Sequence, residues 1–315
     1  MWLPRLAGSA AVTALILAAL VFPSHRAVAA GDPVIAAAGD IACDPADSAF
    51  NGGNGTASRC HEKSTGNQLK SGVANGTINA VLALGDTQYN CGGATAFQQS
   101  YDPTWGQVES VTHPVVGNHE YDTNGGTGCS AGAKGYFGYF GSAAAGPGGY
   151  YSFDLGAWHL LALNANCSFV PCKAGSAQET WLKNDRVAHP AKCTLAFWHQ
   201  PRFSAGPSIE ANTLPFWNDL YAAHADVVLN GHKHNYQRLT KLNPSGNADA
   251  NGIREIIVGT GGMNHSLSGS LYPGTQASDG THFGILKMML HPTSYNWIFV
   301  SDDGKVLDSG FDACV

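Results

Sequence analysis

Ala80-Val81-Leu82-Ala83-Leu84-Gly85-Asp86-Thr87-Gln88-Tyr89 is a five-residue apolar run that ends in a glycine and then in two side chains with hard oxygen donors. A short run that is apolar throughout, rather than alternating, reads as a strand buried on both faces. The same punctuation recurs along the chain. Val34–Ala38 delivers Gly39-Asp40, Pro114–Val116 delivers Gly117-Asn118-His119-Glu120, Thr194–Trp198 ends in His199, and Val227–Leu229 delivers Asn230-Gly231-His232-Lys233-His234. Ligands of α/β sheets bind beyond the carboxyl ends of strands, so five such runs bring five polar tips to one crevice. Glycine just ahead of Asp40, Asp86, Asn118 and His232 permits a sharp turn and a close backbone approach. Singly, each tip is ordinary: Gly-Asp after an apolar run is most often a turn, and a lone histidine such as His199 fits a hydrogen-bonded core position. The ordered set of five is what points to a site.

Between the runs, Ala94–Val108, Ala177–Ala188 and Thr213–Ala223 carry helical spacing, and strand-helix-strand alternation implies α/β layering. Later the pattern changes. Tyr150–Asp154 with Trp158–Asn164, then Ile253–Gly259, Gly284–Leu290 and Tyr295–Val300, read as antiparallel hairpins. The expected fold is therefore mixed α/β, a four-layer sandwich of two mixed β-sheets flanked by helices.

The first residues set the compartment. A basic start, Met1 to Arg5, precedes an apolar run from Ala7 to Phe22 that is short for a bilayer span, and Ala27-Val28-Ala29 offers a small-x-small cleavage pattern. Residues 1–29 are expected to be a signal peptide cleaved near Ala29 or Ala30, leaving residues 30–315 as one domain, secreted to an extracellular or periplasmic space with no membrane segment in the mature form. Loss of Arg5 and Arg26 leaves 15 cations against 23 anions, a formal −8, which argues against nucleic-acid binding by charge. Eight cysteines, none in a Cys-x-x-Cys arrangement, are expected to form disulfides, with neighbours joined as 43–60, 91–129, 167–172 and 193–314.

Taken together, the five tips resemble the calcineurin-like metallophosphoesterases and, within them, the purple acid phosphatases. The usual opening Gly-Asp-x-His is replaced here by Gly39-Asp40-Ile41-Ala42, while Gly85-Asp86-Thr87-Gln88-Tyr89 matches the purple-phosphatase Gly-Asp-x-x-Tyr pattern, in which the tyrosine is a ligand. The resemblance implies that Asp40, Tyr89 and His234 bind one metal, Asn118, His199 and His232 a second, and that Asp86 bridges them. Three anionic oxygens on the first ion suit a trivalent partner, so Fe(III) with Fe(II), Zn(II) or Mn(II) is the expected pair. The activity implied is hydrolysis of phosphate monoesters on small phosphorylated substrates by attack of a metal-bridging hydroxide, with His119 contacting phosphate and serving as general acid. Diesters, nucleotides or phospholipid headgroups are alternative substrates of the same site. A non-catalytic metal- or phosphate-binding protein is the alternative of another class.

The pattern has departures. Histidines that purple acid phosphatases present beyond the fourth tip are missing from His199-Gln200-Pro201-Arg202, which places the acid optimum in doubt and leaves Arg202 as either a phosphate contact or a surface salt bridge. His265 and His282 are substrate contacts or ordinary loop histidines. Glu120 and Asp122 either orient His119 or cap a loop.

Overall fold

The computed structural model describes residues 1–2, 31–206 and 210–315, so the leader expected over residues 1–29 lies outside the described residues. Thirteen strands form two sheets among the described residues. In the first, β1 (Val34–Ala38), β2 (Ala80–Leu84) and β3 (Thr112–Val115) run parallel. The antiparallel ribbon β11 (Gly284–His291), β12 (Ser294–Ser301) and β13 (Val306–Ala313) extends the sheet beyond β1, giving the order β13-β12-β11-β1-β2-β3. The second sheet has a parallel centre of β5 (Trp158–Ala162), β6 (Cys193–Phe197), β7 (Val227–Asn230) and β9 (Ile253–Val258). It is edged by antiparallel β4 (Tyr151–Leu155) on one side and by β8 (Tyr236–Leu242) and β10 (Thr275–Asp279) on the other.

Period-two alternation along the buried strands explains the layering. On β6, Leu195 and Phe197 join the cluster that contains β1, β2 and β11 residues, whereas Ala196 and the following Trp198 join a second cluster with Phe216, Trp217 and Leu220 of α5 (Leu214–Ala222) and Leu182 of α4 (Ala177–Ala188). One face of the second sheet thus meets the first sheet, and the other is covered by helices. The outer face of the first sheet packs Leu69 of α1 (Glu62–Ala74) and Phe97, Tyr101 and Trp105 from the 94–111 segment.

That segment departs from the expected single helix over Ala94–Val108. It is divided into α2 (Ala94–Ala96), a π-helical turn over Phe97–Tyr101 and a 3-10 segment over Trp105–Val111. The second break follows Pro103, which has no N–H to continue the ladder, and falls at Thr104, whose φ of −115° and ψ of −92° leave the helical region. The helix α3 (Lys134–Phe140) carries the aromatic quartet Tyr136, Phe137, Tyr139 and Phe140, of which Tyr136 and Phe140 are buried in the core.

Four disulfides join Cys43 to Cys60, Cys91 to Cys129, Cys167 to Cys172 and Cys193 to Cys314, which uses every cysteine. The last ties the start of β6 in one sheet to the end of β13 in the other. No helix of the described residues is long and apolar enough to cross a membrane.

Candidate metal centre

Each parallel strand named above ends in a turn that its sequence makes sharp. Asp40, Asp86 and His232 all adopt left-handed backbone, with φ of 59°, 46° and 67°. Such conformations cost a non-glycine residue on the order of 1 kcal/mol and persist where the surroundings impose them, commonly at functional sites. Glycine is needed beside them for space. A side chain at Gly117 would run into the Asp86 carboxylate, and Gly85, at φ 83°, would bring its Cβ to 2.7 Å from His199 Nδ1. The loops therefore approach more closely than any larger residue allows.

The result is a cluster drawn from both sheets. The Tyr89 hydroxyl lies 2.8 Å from Asp40 Oδ1, 3.0 Å from Asp86 Oδ2 and 3.0 Å from His234 Nε2. His234 Nε2 is 3.1 Å from Asp40 Oδ1. On the other side, His199 Nε2 is 3.0 Å from the same Asp86 Oδ2, and His232 Nδ1 is 3.0 Å from Asn118 Oδ1. Asp86, His199 and His232 form one of the groups whose donor atoms all lie within 4.8 Å of each other. Asp86 Oδ2 is common to both halves.

Neighbouring groups fix which atom each side chain presents. His199 Nδ1 donates to the Leu84 carbonyl at 2.9 Å, leaving Nε2 for the cluster; that nitrogen is fully buried and, although 3.0 Å from Asp86 Oδ2, is not aligned for a hydrogen bond with it. His234 Nδ1 is held by Asn264 Oδ1. Asp40 Oδ2 accepts the His232 N–H at 2.7 Å, and Asp86 Oδ1 accepts the His119 N–H at 2.9 Å, so both carboxylates turn their remaining oxygens inward. Outer partners of this kind orient ligands and set histidine tautomers at metal sites.

Electrostatics point the same way. Burial acts to raise the Asp40 and Asp86 carboxyls, but His234 and His199 beside Asp40, and His199 and His119 beside Asp86, hold both below the ordinary carboxylate range. Burial acts to neutralise His199 and His234, yet Asp86 raises the first to about 9 and Asp40 raises the second to about 9. His232 is pushed down to about 4 by burial and then by the charge on His199. Burial, Asp40 and Asp86 together push the Tyr89 phenol well above its usual value. Without cations, protons bridge the cluster. With oxygen and nitrogen donors about 2.1 Å from an ion in octahedral coordination, neighbouring donors sit about 3 Å apart, which is the spacing found here. The mixed carboxylate, phenol, amide and imidazole set and the orphaned, buried His199 Nε2 fit a pair of metal ions.

His119 stands at the rim. Its Nδ1 lies 2.8 Å from the Asn90 carbonyl and 3.3 Å from Asp122 Oδ2, its ring packs on Tyr89 at 4.3 Å, and its Nε2 is 4.0 Å from Asp86 Oδ2. Glu120 does not orient it. Fully buried, Glu120 accepts from the N–H groups of Asp86, Thr87, Gln88 and Gly117 and from the Thr87 hydroxyl, so that one carboxylate fastens the second tip to the third.

Three sequence candidates have their partners elsewhere. Arg202 is buried, its guanidinium donating to the Glu210 carbonyl and lying over Phe203, while its N–H and that of Phe203 bind Glu255; none of these partners belongs to the cluster. His265 approaches the Ala57 carbonyl and packs on Phe283, and His282 pairs with Asp279. Neither is placed as a substrate contact. Asn264, which nothing in the sequence marked as part of the site, is the residue that holds His234.

The sequence profile of the calcineurin-like phosphoesterase family matches residues 34–236. Purple acid phosphatase 15 of Arabidopsis thaliana is 26% identical over 191 residues, which is 55% of this chain and 35% of that protein. The chain thus spans about a third of the length of that relative. Among solved structures, the purple acid phosphatase PPD1 from yellow lupin (Lupinus luteus) seeds superposes with a TM-score of 0.68 at 18% identity, over 89% of this chain and 53% of that one. GAP50, the anchor in the inner membrane complex of Plasmodium, superposes at 0.62 with 15% identity over 90% of each chain. A fold shared by a phosphatase and an anchor does not by itself assign an activity. The matched span covers all five strand-end motifs: the chain belongs to the calcineurin-like phosphoesterase family.

Proposed function

We propose that the chain is an exported dinuclear metallophosphoesterase acting on phosphate monoesters, with Asp40, Tyr89 and His234 holding one ion, Asn118, His199 and His232 the other, and Asp86 shared. The observation that carries this reading is the gathering of seven donor side chains into one cluster at contacts of 2.8–3.1 Å, with Asp86 Oδ2 3.0 Å from both Tyr89 and His199 and so shared by its two halves. The three oxygens of Asp40, Asp86 and Tyr89 favour Fe(III) on their side, with Fe(II), Zn(II) or Mn(II) on the other.

When bound, two such cations acidify a water, neutralise phosphate oxygens and stabilise in-line displacement. The chain supplies the rest. Asn90 accepts from His119 Nδ1, which leaves Nε2 to contact phosphate or deliver a proton to a departing alkoxide. Tyr89 backs the His119 ring, and the contact of Asp86 Oδ1 with the His119 N–H couples its position to the shared carboxylate. Glu120 fixes the two loops that carry Asp86 and Asn118.

Export is supported by the four disulfides, which persist in oxidising compartments, and by the leader-like first 29 residues. The test is turnover of 4-nitrophenyl phosphate against bis(4-nitrophenyl) phosphate. Monoester hydrolysis that dominates, and disappears in His232→Ala, supports the proposal; dominant diester hydrolysis shifts the substrate class, and no hydrolysis of either by metal-loaded protein overturns it.

A further inference from the structure

Beside the cluster lies a cavity of about 360 Å³ whose wall includes His232, Lys233, His234, Asn235, Ser266 and Ser268. Among the described residues its lining contains no acid, although acids outnumber Lys and Arg in the chain by 23 to 17. Lys233 is half-buried there and, unlike Lys183 or Lys305, pairs with no carboxylate among the described residues. A partly buried lysine without a counter-charge, on the wall of a cavity that also holds two serines and no acid, is a site for an anion.

Position gives the site its meaning. His232 and His234 belong to the metal cluster and also to the wall of this cavity, so a phosphoryl group seated at the cluster would direct its ester substituent past Lys233. We propose that Lys233 forms a subsite for a second anionic group, a carboxylate or a second phosphate, carried on the leaving group of the ester. The subsite rests on the phosphoesterase reading for its orientation toward a leaving group. The two serines complete a polar wall, and the lack of acids disfavours cationic leaving groups such as amino alcohols.

Binding and turnover separate the two claims. Metal-loaded protein is titrated calorimetrically with propylphosphonate, 3-phosphonopropionate and propane-1,3-bisphosphonate, which cannot be hydrolysed and differ in the charge of the tail. The expected result is about five- to tenfold tighter binding of one or both charged-tail compounds, a difference that Lys233→Ala and Lys233→Gln remove and Lys233→Arg largely keeps. Which tail gains identifies carboxylate or phosphate as the preferred group. The ratio of kcat/KM for 3-phosphoglycerate over glycerol 3-phosphate should fall in parallel in the alanine and glutamine variants. A difference that survives in both variants comes from the metals and overturns the subsite, as does its absence from the wild type. Lys233-dependent discrimination without turnover of either ester upholds the subsite and removes the hydrolase reading.

Discussion

Glu120 shows how much of this site depends on a residue that touches no substrate. One buried carboxylate accepts five hydrogen bonds from the loops carrying Asp86 and Asn118. Glu120→Gln replaces one accepting oxygen with a donor facing N–H groups, leaving buried donors unpaired at about 1–3 kcal/mol. The expected outcome is a lower melting temperature together with at least a tenfold weaker metal affinity, read by thermal unfolding and chelator competition. Wild-type affinity in a folded variant would remove Glu120 from the account. Tyr89 is tested differently: Tyr89→Phe keeps the ring against His119 but removes the oxygen donor. A visible tyrosinate-to-iron absorption band in the wild type should disappear in the variant, and a colourless active wild type would mean that both ions are divalent.

At the scale of elements, the strand ends were legible because a buried strand must be apolar throughout and its terminal glycine and donor stand out against it. Val34–Ala38 and Ala80–Leu84 match the structure without adjustment. What the sequence hid was polar or non-local. The helix α1 has only Leu69 and Val73 as large apolar residues, and two glycines and two serines among its thirteen positions, so its periodicity is faint. Arg202 looked like a phosphate fork because nothing in the sequence marks the Glu210 backbone carbonyl that takes its guanidinium. The 193–314 disulfide, by contrast, was among the expected pairs, and it links an element of each sheet across 121 residues. Replacing both of its cysteines with serine should lower stability by about 3–5 kcal/mol through the freed unfolded chain, measured by denaturant unfolding of the oxidised protein. A change below about 1 kcal/mol would mean that the sheet interface alone fixes the C-terminus.

The whole molecule carries a pH dependence independent of the metal cluster. Glu62 at the start of α1 is buried, its carboxyl pushed up to about 8 chiefly by that burial, and its Oε2 has no hydrogen-bond partner. A carboxyl whose folded pKa exceeds its unfolded value of about 4.5 contributes stability that is complete below pH 4.5 and is lost as pH rises through 8. Unfolding free energy should therefore fall between pH 5 and 9, by on the order of a few kcal/mol from this group, and Glu62→Gln should flatten that slope. An unchanged slope in the variant would place the titration elsewhere. The central claim, that two ions share Asp86, meets its most direct test in the metal content of the purified full-length chain and its Asp86→Ala variant by elemental analysis. Two ions per wild-type chain are expected, at least one of them iron, and fewer than one in the variant. A folded Asp86→Ala protein that still holds two ions would contradict it.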